Sequence, residues 1–491
     1  MAVGERRCYS EGAGGRVASR RDGLRSPMPR QGMIATAVFG FLCGCGQPPP
    51  VDLDPDGTES AELEPGSVTW HDDIAPIFAV NCITCHQPGG LMEAIDLHEF
   101  EDSHQWRGRI AEMVADEGMP PFPADTSEEC PQPWGFDHDR RMSDQDIATV
   151  LAWVQDDAPE GDPANEQTYT APPEVHLDRV DMTLGLPDVQ TIPPVTEIPD
   201  VISCFVLDPE LEETGYMLGM ETVPDNRKVL HHVGAYLSDR AYIAALDEAV
   251  DGVADGQFLC PNMGSLGDAI GGYVPGVLPL ITPEGSAVQV EPNEVFVASI
   301  HYHGVETEQQ DMTTFDFKWA DGPTERLAVT LKSQTSQTAN AGLLPGPNDR
   351  TSAPEFFIPA GEAWHTESMY WDVKGTGDRT IYSMLGHMHL AGTFMRVSIE
   401  RADGTPGPCI LEIPRWNFDW QLFYTLGDQD DLPVLHTGDR VLIECTFDNT
   451  ENNPGVVRIM EEVGLDEPTD IHYGGGSTEE MCSLVLGMVE G

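Results

Sequence analysis

The sequence predicts a small helical domain followed by two antiparallel β-sandwich domains. With 491 residues, the chain is longer than one ordinary domain. Its 40 prolines and 49 glycines favour turns and strands over long helices. The spacing of apolar residues is helical between residues 68 and 158, and from about residue 175 to the end it alternates as in strands. That second region is too long for one sandwich and suits two.

The first 45 residues are predicted to be a leader. Residues 34–42 form an apolar run too short to span a bilayer, and small residues follow it up to Cys45. The pattern resembles a bacterial lipoprotein signal with Cys45 as the acylated first residue, or else a plain signal peptide cut near Gly46. Either interpretation predicts export, and the lipoprotein would be held at the periplasmic face of a bacterial membrane or at the cell surface. Disulfides persist in such a compartment.

Changes in composition divide the rest of the chain. Residues 46–67, rich in Pro, Asp and Glu, are predicted to be a disordered linker, and residues 68–158 form the helical domain. Residues 159–174 are a second linker. The two sandwich domains are predicted at 175–328 and 329–491.

Short patterns predict individual elements. Helical periodicity occurs at 74–80, at 109–115 and at 144–157, where Ser143 is the expected N-cap. Alternating apolar residues predict strands at 295–303, 356–358, 380–390, 394–400 and 440–447.

The charge of the chain is strongly unbalanced. Lys and Arg number 26 against 83 Asp and Glu, which gives a formal net charge of −57. Such a surface repels phosphate backbones and anionic lipid, so we expect no nucleic-acid partner and membrane contact only through the lipid anchor. The field bears on solubility and on the steering of partners, not on the fold.

The motif Cys82-Ile83-Thr84-Cys85-His86 predicts covalent attachment of one haem c. Thiols at the spacing of Cys82 and Cys85 can add to the two vinyl groups while His86 ligates the iron. A redox dithiol or half of a zinc site also uses C-x-x-C, but the sequence holds no second C-x-x-C.

The second iron ligand is predicted to be Met119, because a thioether raises the potential and the Gly118-Met119-Pro120-Pro121 loop is rigid. Met113 and Met92 are the other candidates. The stretch 68–158 resembles class I cytochrome c domains, on the residues 74–78 before the haem motif, on the Met119 loop and on the closing helix. An exported single-haem domain of this kind is an electron carrier.

Histidines cluster in the region of strands, at His231-His232, at His301 and His303, and at His387 and His389. Residues i and i+2 of a strand share a face, so His387 and His389 can ligate the same metal ion. The adjacent His231 and His232 would point to opposite faces of a regular strand. Both can ligate one ion only at a bulge or at a strand end.

The ligand types indicate the metal. Imidazoles alone permit zinc, copper or nickel, and an isolated histidine is more often a core or surface residue. Met481, near the end of the chain, would add a thioether to a pair of histidines, and this combination favours copper. Met481 taken alone is more often a core residue.

Residues 175–491 resemble the copper type II, ascorbate-dependent monooxygenases, the family that contains peptidylglycine α-hydroxylating monooxygenase and dopamine β-monooxygenase. The motifs that carry the resemblance are, in order, His231-His232, Ile300-His301-Tyr302-His303, His387-Met388-His389 and the tail at 474–482. The resemblance implies two eight-stranded antiparallel jelly-roll domains with one copper each, facing each other across a solvent-filled cleft.

The resemblance also implies roles for single residues. The electron-transfer copper would be held by His231, His232 and His301. The copper that binds O2 and does the chemistry would be held by His387, His389 and Met481, which are the predicted catalytic residues. His303 would lie behind the first set without binding the metal. Disulfides are implied between Cys204 and Cys260 and between Cys445 and Cys482, while Cys130 and Cys409 are left without an assigned partner.

The chain departs from the peptide-amidating members of that family at substrate positions. Where they carry an Arg that helps to bind the substrate carboxylate, this sequence has Leu385. Where they carry Asn and Tyr, it has Ser483 and Val485. A small organic substrate with less charge than a peptidyl-glycine is therefore expected.

The sequence thus predicts an exported copper monooxygenase that hydroxylates a C–H bond with O2 and two electrons. The fused haem would supply or relay the electrons, and the external donor would be ascorbate or a redox protein. The alternative is a haem and copper electron-transfer protein that does not hydroxylate. A copper-scavenging lipoprotein is a third interpretation, against which the separate histidine pairs and Met481 argue.

Overall fold

The computed structural model describes residues 66–90, 92, 94–172, 175–196, 200–261, 265–334, 342–350, 353–427, 431–476 and 478–491. The predicted leader, the acylated Cys45 and nearly all of the first linker lie outside the described residues. All described residues belong to one compact unit. Among them, no helix is both long and apolar enough to cross a membrane.

The described residues contain five α-helices, together with a π-helical turn at Trp70–Ile74 and a 3-10 turn at Pro163–Asn165. The α-helices are α1 Ala75–Asn81, α2 Phe100–Ala115, α3 Asp144–Gln155, α4 Arg240–Asp251 and α5 Pro454–Val463.

The strands are β1 Met182–Gly185, β2 Gln190–Ile192, β3 Asp200–Leu207, β4 Gly215–Val223, β5 Leu230–Asp239, β6 Gln257–Leu259, β7 Asp268–Tyr273, β8 Leu280–Ile281, β9 Ser286–Val290, β10 Glu294–His303, β11 Gln309–Asp311, β12 Thr314–Trp319, β13 Arg326–Gln334, β14 Phe357–Ile358, β15 His365–Asp372, β16 Arg379–His387, β17 Gly392–Glu400, β18 Pro406–Ile413, β19 Tyr424–Thr425, β20 Val434–Leu435, β21 Arg440–Phe447, β22 Ile471–His472 and β23 Ser483–Glu490.

The N-terminal part of the described chain is helical, as predicted. The Ser143 side chain accepts a hydrogen bond from the Asp146 N–H at 3.1 Å, which confirms the expected N-cap of α3. Trp70 packs against Phe78 and Trp153, with ring centroids 5.4 and 5.9 Å away, and this aromatic group forms the centre of a separate small core.

The remainder is mostly β-sheet. The largest sheet has the order β1-β12-β4-β9-β13-β23-β16-β19, with β8 paired to β4 and β20 paired to β16. A second sheet has the order β6-β3-β10-β5-β7 and a third the order β15-β21-β17-β18. Phe296 of β10 stacks on Phe317 of β12 with ring centroids 4.5 Å apart, so the first two sheets face each other across an apolar core. The mostly antiparallel sheets with few helices fit a β-sandwich body.

One strand joins the two halves of this body. β13 spans the boundary predicted at residue 328, pairs in parallel with β9 through Arg326 and Leu327, and pairs antiparallel with β23. The two predicted sandwich domains therefore share one continuous sheet.

Several predicted elements differ in extent. The strand predicted at 440–447 is confirmed as β21, whereas the strand predicted at 380–390 ends at His387. The helices α4 and α5 were not predicted. α4 has an Asp239 cap and ends at Gly252 in the left-handed conformation, with φ of 91°. These are ordinary helix signals, here inside a region dominated by strand patterns.

Three disulfides link described residues. The structure pairs Cys204 with Cys260 and Cys445 with Cys482, as the family resemblance implied. It also pairs Cys130 with Cys409, which the sequence had left unassigned. This third bond joins the segment between α2 and α3 to β18, across 279 residues of chain.

Candidate metal centres

The first histidine cluster forms at a β-bulge. His301 on β10 lies directly opposite His232 on β5, and the next pair in register is Tyr302 with Leu230. His231 is therefore the extra residue of the bulged strand. This is the irregularity that two adjacent histidines need in order to serve a single ion.

The nitrogens of this cluster have the spacing of ligands. The Nδ1 atom of His232 lies 3.0 Å from Nδ1 of His231 and 3.3 Å from Nδ1 of His301. Nitrogens bound to one ion at 2.0–2.1 Å, with angles near 90–110°, lie about 2.9–3.4 Å apart. The cluster thus fits a metal held through Nδ1. The ring of His303 lies 6.3 Å from that of His231, beside the cluster.

The second cluster lies at the open end of β16. His387 is the last residue of that strand and pairs with Ser483 of β23, while His389 follows in the next turn. Met481 precedes β23, so the strand pairing carries it to the same end of the sheet. All three ligand candidates are buried, and the rings of His387 and His389 have centroids 5.1 Å apart.

Hydrogen bonds define the tautomers of these two histidines. The amide N–H of Gln421 donates to the Phe418 carbonyl at 3.0 Å, so its oxygen faces Nδ1 of His387 and accepts from it at 2.6 Å. Nδ1 of His389 donates to the Glu479 carbonyl at 2.7 Å. In both rings the lone pair is therefore on Nε2. The histidines of this cluster can therefore bind a metal through Nε2, whereas those of the first cluster place their Nδ1 atoms together.

The buried carboxylate of Glu480 connects the two ligand segments by hydrogen bonds. Glu480 is fully buried and accepts hydrogen bonds from the backbone N–H groups of His389 and Ala391, both at 2.7 Å, and of Met481 at 3.1 Å. One side chain thus sets the position of the His389 turn relative to the methionine. Such supporting hydrogen bonds orient metal ligands.

Both clusters border one cavity of about 740 Å³. Its lining includes the ligand candidates His232, His301, His387, His389 and Met481. Most of the remaining lining is apolar, with Tyr236, Tyr273, Phe418 and Phe423 as its large rings. The two sets of ligands therefore open into a common space of the size of a small-molecule site.

The haem motif borders a second cavity of about 550 Å³. Cys82, Cys85 and His86 line it, immediately after the end of α1. Neither cysteine takes part in the three disulfides. Nδ1 of His86 donates to the Ile95 carbonyl at 2.9 Å, so its lone pair is on Nε2, as iron ligation requires. Thiols, imidazole and an apolar cavity fit a covalent haem.

Burial changes the acid–base properties of this motif. Loss of solvation, with a smaller contribution from Cys85, raises the pKa of the Cys82 thiol to about 12. Burial also lowers the pKa of His86, although the hydrogen bond to Ile95 and the charge of Asp96 act in the opposite direction. A neutral imidazole is the form that can bind a metal.

All three candidate methionines, Met92, Met113 and Met119, line this second cavity beside the predicted haem motif. The backbone N–H groups of Gly118 and Met119 both donate to the Met113 carbonyl, at 2.8 and 3.2 Å, which holds the predicted ligand loop close to the end of α2. A Cβ atom at Gly118 would lie 2.8 Å from the Met113 Cε atom, so the Met113 side chain packs against this loop. Met119 thus remains the predicted ligand.

We expect Met119→His to lower the midpoint potential of the haem, because imidazole stabilises the oxidised iron more than a thioether does. Axial ligands set potentials over about 0.8 V, so the shift is large enough for a spectroelectrochemical titration of the full chain. Met113→Leu is the control and should leave the potential near that of the parent. A shift in the control alone would make Met113 the ligand.

The two cavities have a wall in common. Gly272, Tyr273 and Val277 line both of them. Tyr273 pairs with Val233, the residue after His232, so β7 lies between the haem cavity and the strand that carries the first cluster. Arg140 connects this wall to the loop that contains Met119, because it donates hydrogen bonds to the carbonyl of Pro275 at 3.0 Å and to that of Pro121 at 2.9 Å.

Gln421 and Glu480 were missed by the sequence analysis. Neither stands at a fixed spacing from the histidines, and each meets them only through the packing of distant strands. The sole local signal is that Glu480 directly precedes a predicted ligand in an apolar stretch, where an acidic residue is unusual.

No family model and no curated protein matches the chain. Among the solved structures, it shows a weak likeness to the major capsid protein P2 from bacteriophage PM2, with a TM-score of 0.21 and 8% identity over 63% of this chain and 97% of that chain. A similarity at this level carries no argument about fold or function.

Proposed function

We propose that the protein is a haem-linked copper monooxygenase that hydroxylates a C–H bond of a small organic molecule. The observation that carries the proposal is one cavity bordered by two unlike ligand sets: His232 and His301 of the three-histidine cluster line it together with two imidazoles and a thioether of the other set. The family resemblance supplies the reaction. It also implies the finer fold, a cytochrome c domain before two jelly-roll domains.

The proposed reaction is R–H + O2 + 2 e⁻ + 2 H⁺ → R–OH + H2O. When bound, copper would supply O2 activation at one site and one-electron transfer at the other, and the haem would supply single electrons. Two sites with different ligands suit this division, because a thioether favours the reduced copper that meets O2.

The contribution of the chain is to hold the ligands and to shape the space between them. Gln421 and the Glu479 carbonyl keep the protons of His387 and His389 on Nδ1, so that both rings offer Nε2. Glu480 holds the backbone of both ligand segments. A preorganised site of this kind needs little rearrangement when a metal or a substrate enters.

The lining of the cavity favours an uncharged substrate. Leu385, Ser483 and Val485, which stand where the peptide-amidating enzymes have Arg, Asn and Tyr, all line it. The nearby Arg458 is engaged by Glu462 at 3.1 Å and by Asp419 at 3.5 Å. A substrate carboxylate would thus meet apolar groups and an arginine that already has acidic partners.

The shared wall supports electron supply from the haem. Gly272 and Tyr273 of β7 line both cavities, and β7 is paired directly to β5, which carries His231 and His232. A donor fixed in the same chain acts at high effective concentration. The haem would therefore replace, or pass on electrons from, an external donor such as ascorbate or a redox protein.

Two measurements test the proposal. The haem- and copper-loaded chain is incubated with labelled O2, a reductant and a panel of benzylic, phenolic and amide compounds, and a product that has gained one labelled oxygen supports hydroxylation. In anaerobic stopped-flow, reduced haem should be reoxidised when Cu(II) is added. Reoxidation without O2 consumption for any compound favours the non-hydroxylating alternative, and haem that stays reduced contradicts the relay.

A further inference from the structure

A group of three carboxylates lies at the end of α4, apart from the residues assigned above. Asp247 and Asp251 are one turn apart on the helix, and Asp255 follows in the loop that leads to β6. One oxygen of each carboxylate lies within 4.8 Å of the others. Oxygens that share a calcium ion at about 2.4 Å lie no more than about 4.8 Å apart. The spacing therefore permits one ion to contact all three carboxylates.

Asp247 is the unusual member of this group. Its side chain is 1% exposed, and its Oδ1 atom has no hydrogen-bond partner among the described residues. A buried carboxylate oxygen without a partner is costly, whereas a bound cation would satisfy it. Burial raises the pKa of Asp247, and the charges of Asp251 and Asp255 raise it further.

The three carboxylates have no basic partner in the described part of the chain: no Lys, Arg or His there forms an ion pair with any of them. The last turn of α4 contains no basic residue, and the partial charge of a helix C-terminus is negative. Three carboxylates at this end repel both one another and the helix dipole.

Each carboxylate is held by one backbone N–H group of the loop. Asp247 Oδ2 accepts from Gly256 at 2.8 Å, Asp251 Oδ1 from Val253 at 3.1 Å, and Asp255 Oδ1 from the residue that begins β6 at 3.2 Å. These bonds use one oxygen of each group. The second oxygen of each remains for another ligand.

We propose that Asp247, Asp251 and Asp255 bind a hard divalent cation, calcium in the first instance. Carboxylate oxygens are the ligands that calcium prefers, and a short loop can adapt to its variable coordination, with water completing the shell. No nitrogen or sulfur ligand belongs to the group, which distinguishes it chemically from the proposed copper centres.

The position of this site suggests what the ion does. The loop after Asp255 leads into β6, and Cys260 at the end of β6 lines the cavity between the two histidine clusters. Val206 of β3 donates its N–H to the Gly256 carbonyl at 2.8 Å. An ion at this loop would therefore stabilise one edge of the sheet that carries His301.

The test is a calcium titration of the full chain, freed of divalent ions, by calorimetry and thermal unfolding. We expect saturating calcium to raise the unfolding temperature by roughly 2–5 °C. Asp247→Asn, which keeps an acceptor for Gly256, should weaken calcium binding at least about tenfold. Glu248→Gln, the same charge change at an exposed neighbour, is the matched control and should respond like the parent.

A second variant covers the case in which Asp247→Asn fails to fold. Asp251 is exposed, so Asp251→Asn should fold and should also weaken calcium binding. Without calcium, Asp247→Asn should unfold at or above the parent temperature, because it removes a buried charge from a repelling group. No response to either calcium or magnesium in the parent, or equal responses in the parent and both variants, would overturn the proposal. A response to magnesium alone would change the assigned ion to magnesium.

Discussion

Replacing Met481 by Leu is expected to abolish C–H hydroxylation while copper remains at the cluster of His231, His232 and His301. The substitution removes the thioether, the only soft donor of the second ligand set, and keeps the volume of a side chain that is 5% exposed. We expect turnover to fall at least about 100-fold, and half of the bound copper to be lost or weakly held.

Met481→Ala should have the same effect on activity but carries an added cost. Truncating a buried methionine leaves a cavity, which destabilises a protein by about 2–5 kcal/mol. The leucine variant therefore separates the loss of a ligand from the loss of packing.

Copper stoichiometry and labelled-oxygen incorporation would be measured on the same samples. Met369→Leu is the matched control, since Met369 on β15 is also buried and does not line the cavity. It should keep both coppers and full turnover. Unchanged turnover in Met481→Leu would refute the assignment of Met481 to the active copper.

Glu480→Gln is expected to be severely damaging although the two side chains are nearly isosteric. Both carboxylate oxygens accept backbone N–H bonds, Oε1 from Ala391 and Oε2 from His389 and Met481. An amide can supply only one acceptor oxygen, and its NH2 group would face an N–H donor. At least one buried N–H loses its partner, which costs about 1–3 kcal/mol.

The functional consequence should exceed the loss of stability. Because Glu480 holds the His389 turn and Met481 together, its loss should weaken copper binding at the second site by about 10–100-fold and leave the first site intact. Copper affinity at each site, followed by titration and by the spectra of the bound ions, would show this difference. Denaturant unfolding reports the stability separately.

Glu479→Gln provides the comparison. Glu479 accepts a backbone N–H from Gly476 at 2.9 Å, which an amide oxygen can replace, and its contact with His389 uses the main-chain carbonyl. This variant should bind copper like the parent. Equal losses at both copper sites in Glu480→Gln would mean that Glu480 supports the fold generally and does not specifically position the second site.

Much of the fold could be predicted from the sequence because it depends on local patterns. The strand at 440–447 and the Ser143 cap were predicted correctly, since alternation and capping act within a few residues. The sequence analysis did not predict α4. Asp239 and Gly252 are the typical N-cap and C-cap residues of a helix, but they lie in a region whose apolar residues alternate as in strands.

The candidate metal ligands could be predicted from the sequence for a different reason. The sequence required a bulge if His231 and His232 were to serve one ion, and β5 has that bulge. The requirement follows from the geometry of a single strand, so it could be stated without knowing the partner strand. Which ion binds stays a prediction that rests on the ligand types.

Other features depend on contacts that no local pattern encodes. The pairing of Cys130 with Cys409, the continuation of one sheet through β13, and the contact of Gln421 with His387 all join residues far apart in the chain. Their partners are selected by the packing of whole sheets. No pattern within a single sequence encodes that selection.

The sequence by itself determined the residue types available for chemistry: a haem-binding motif, three histidine clusters and a terminal methionine, in an acidic chain built mainly of strands. Only the tertiary structure decided which nitrogen each histidine presents, that the two ligand sets open into one cavity, and that β7 separates this cavity from the haem motif. The physical reason is that ligand identity belongs to a side chain, whereas its direction, protonation and distance to a second site are set by hydrogen bonds and packing between distant strands.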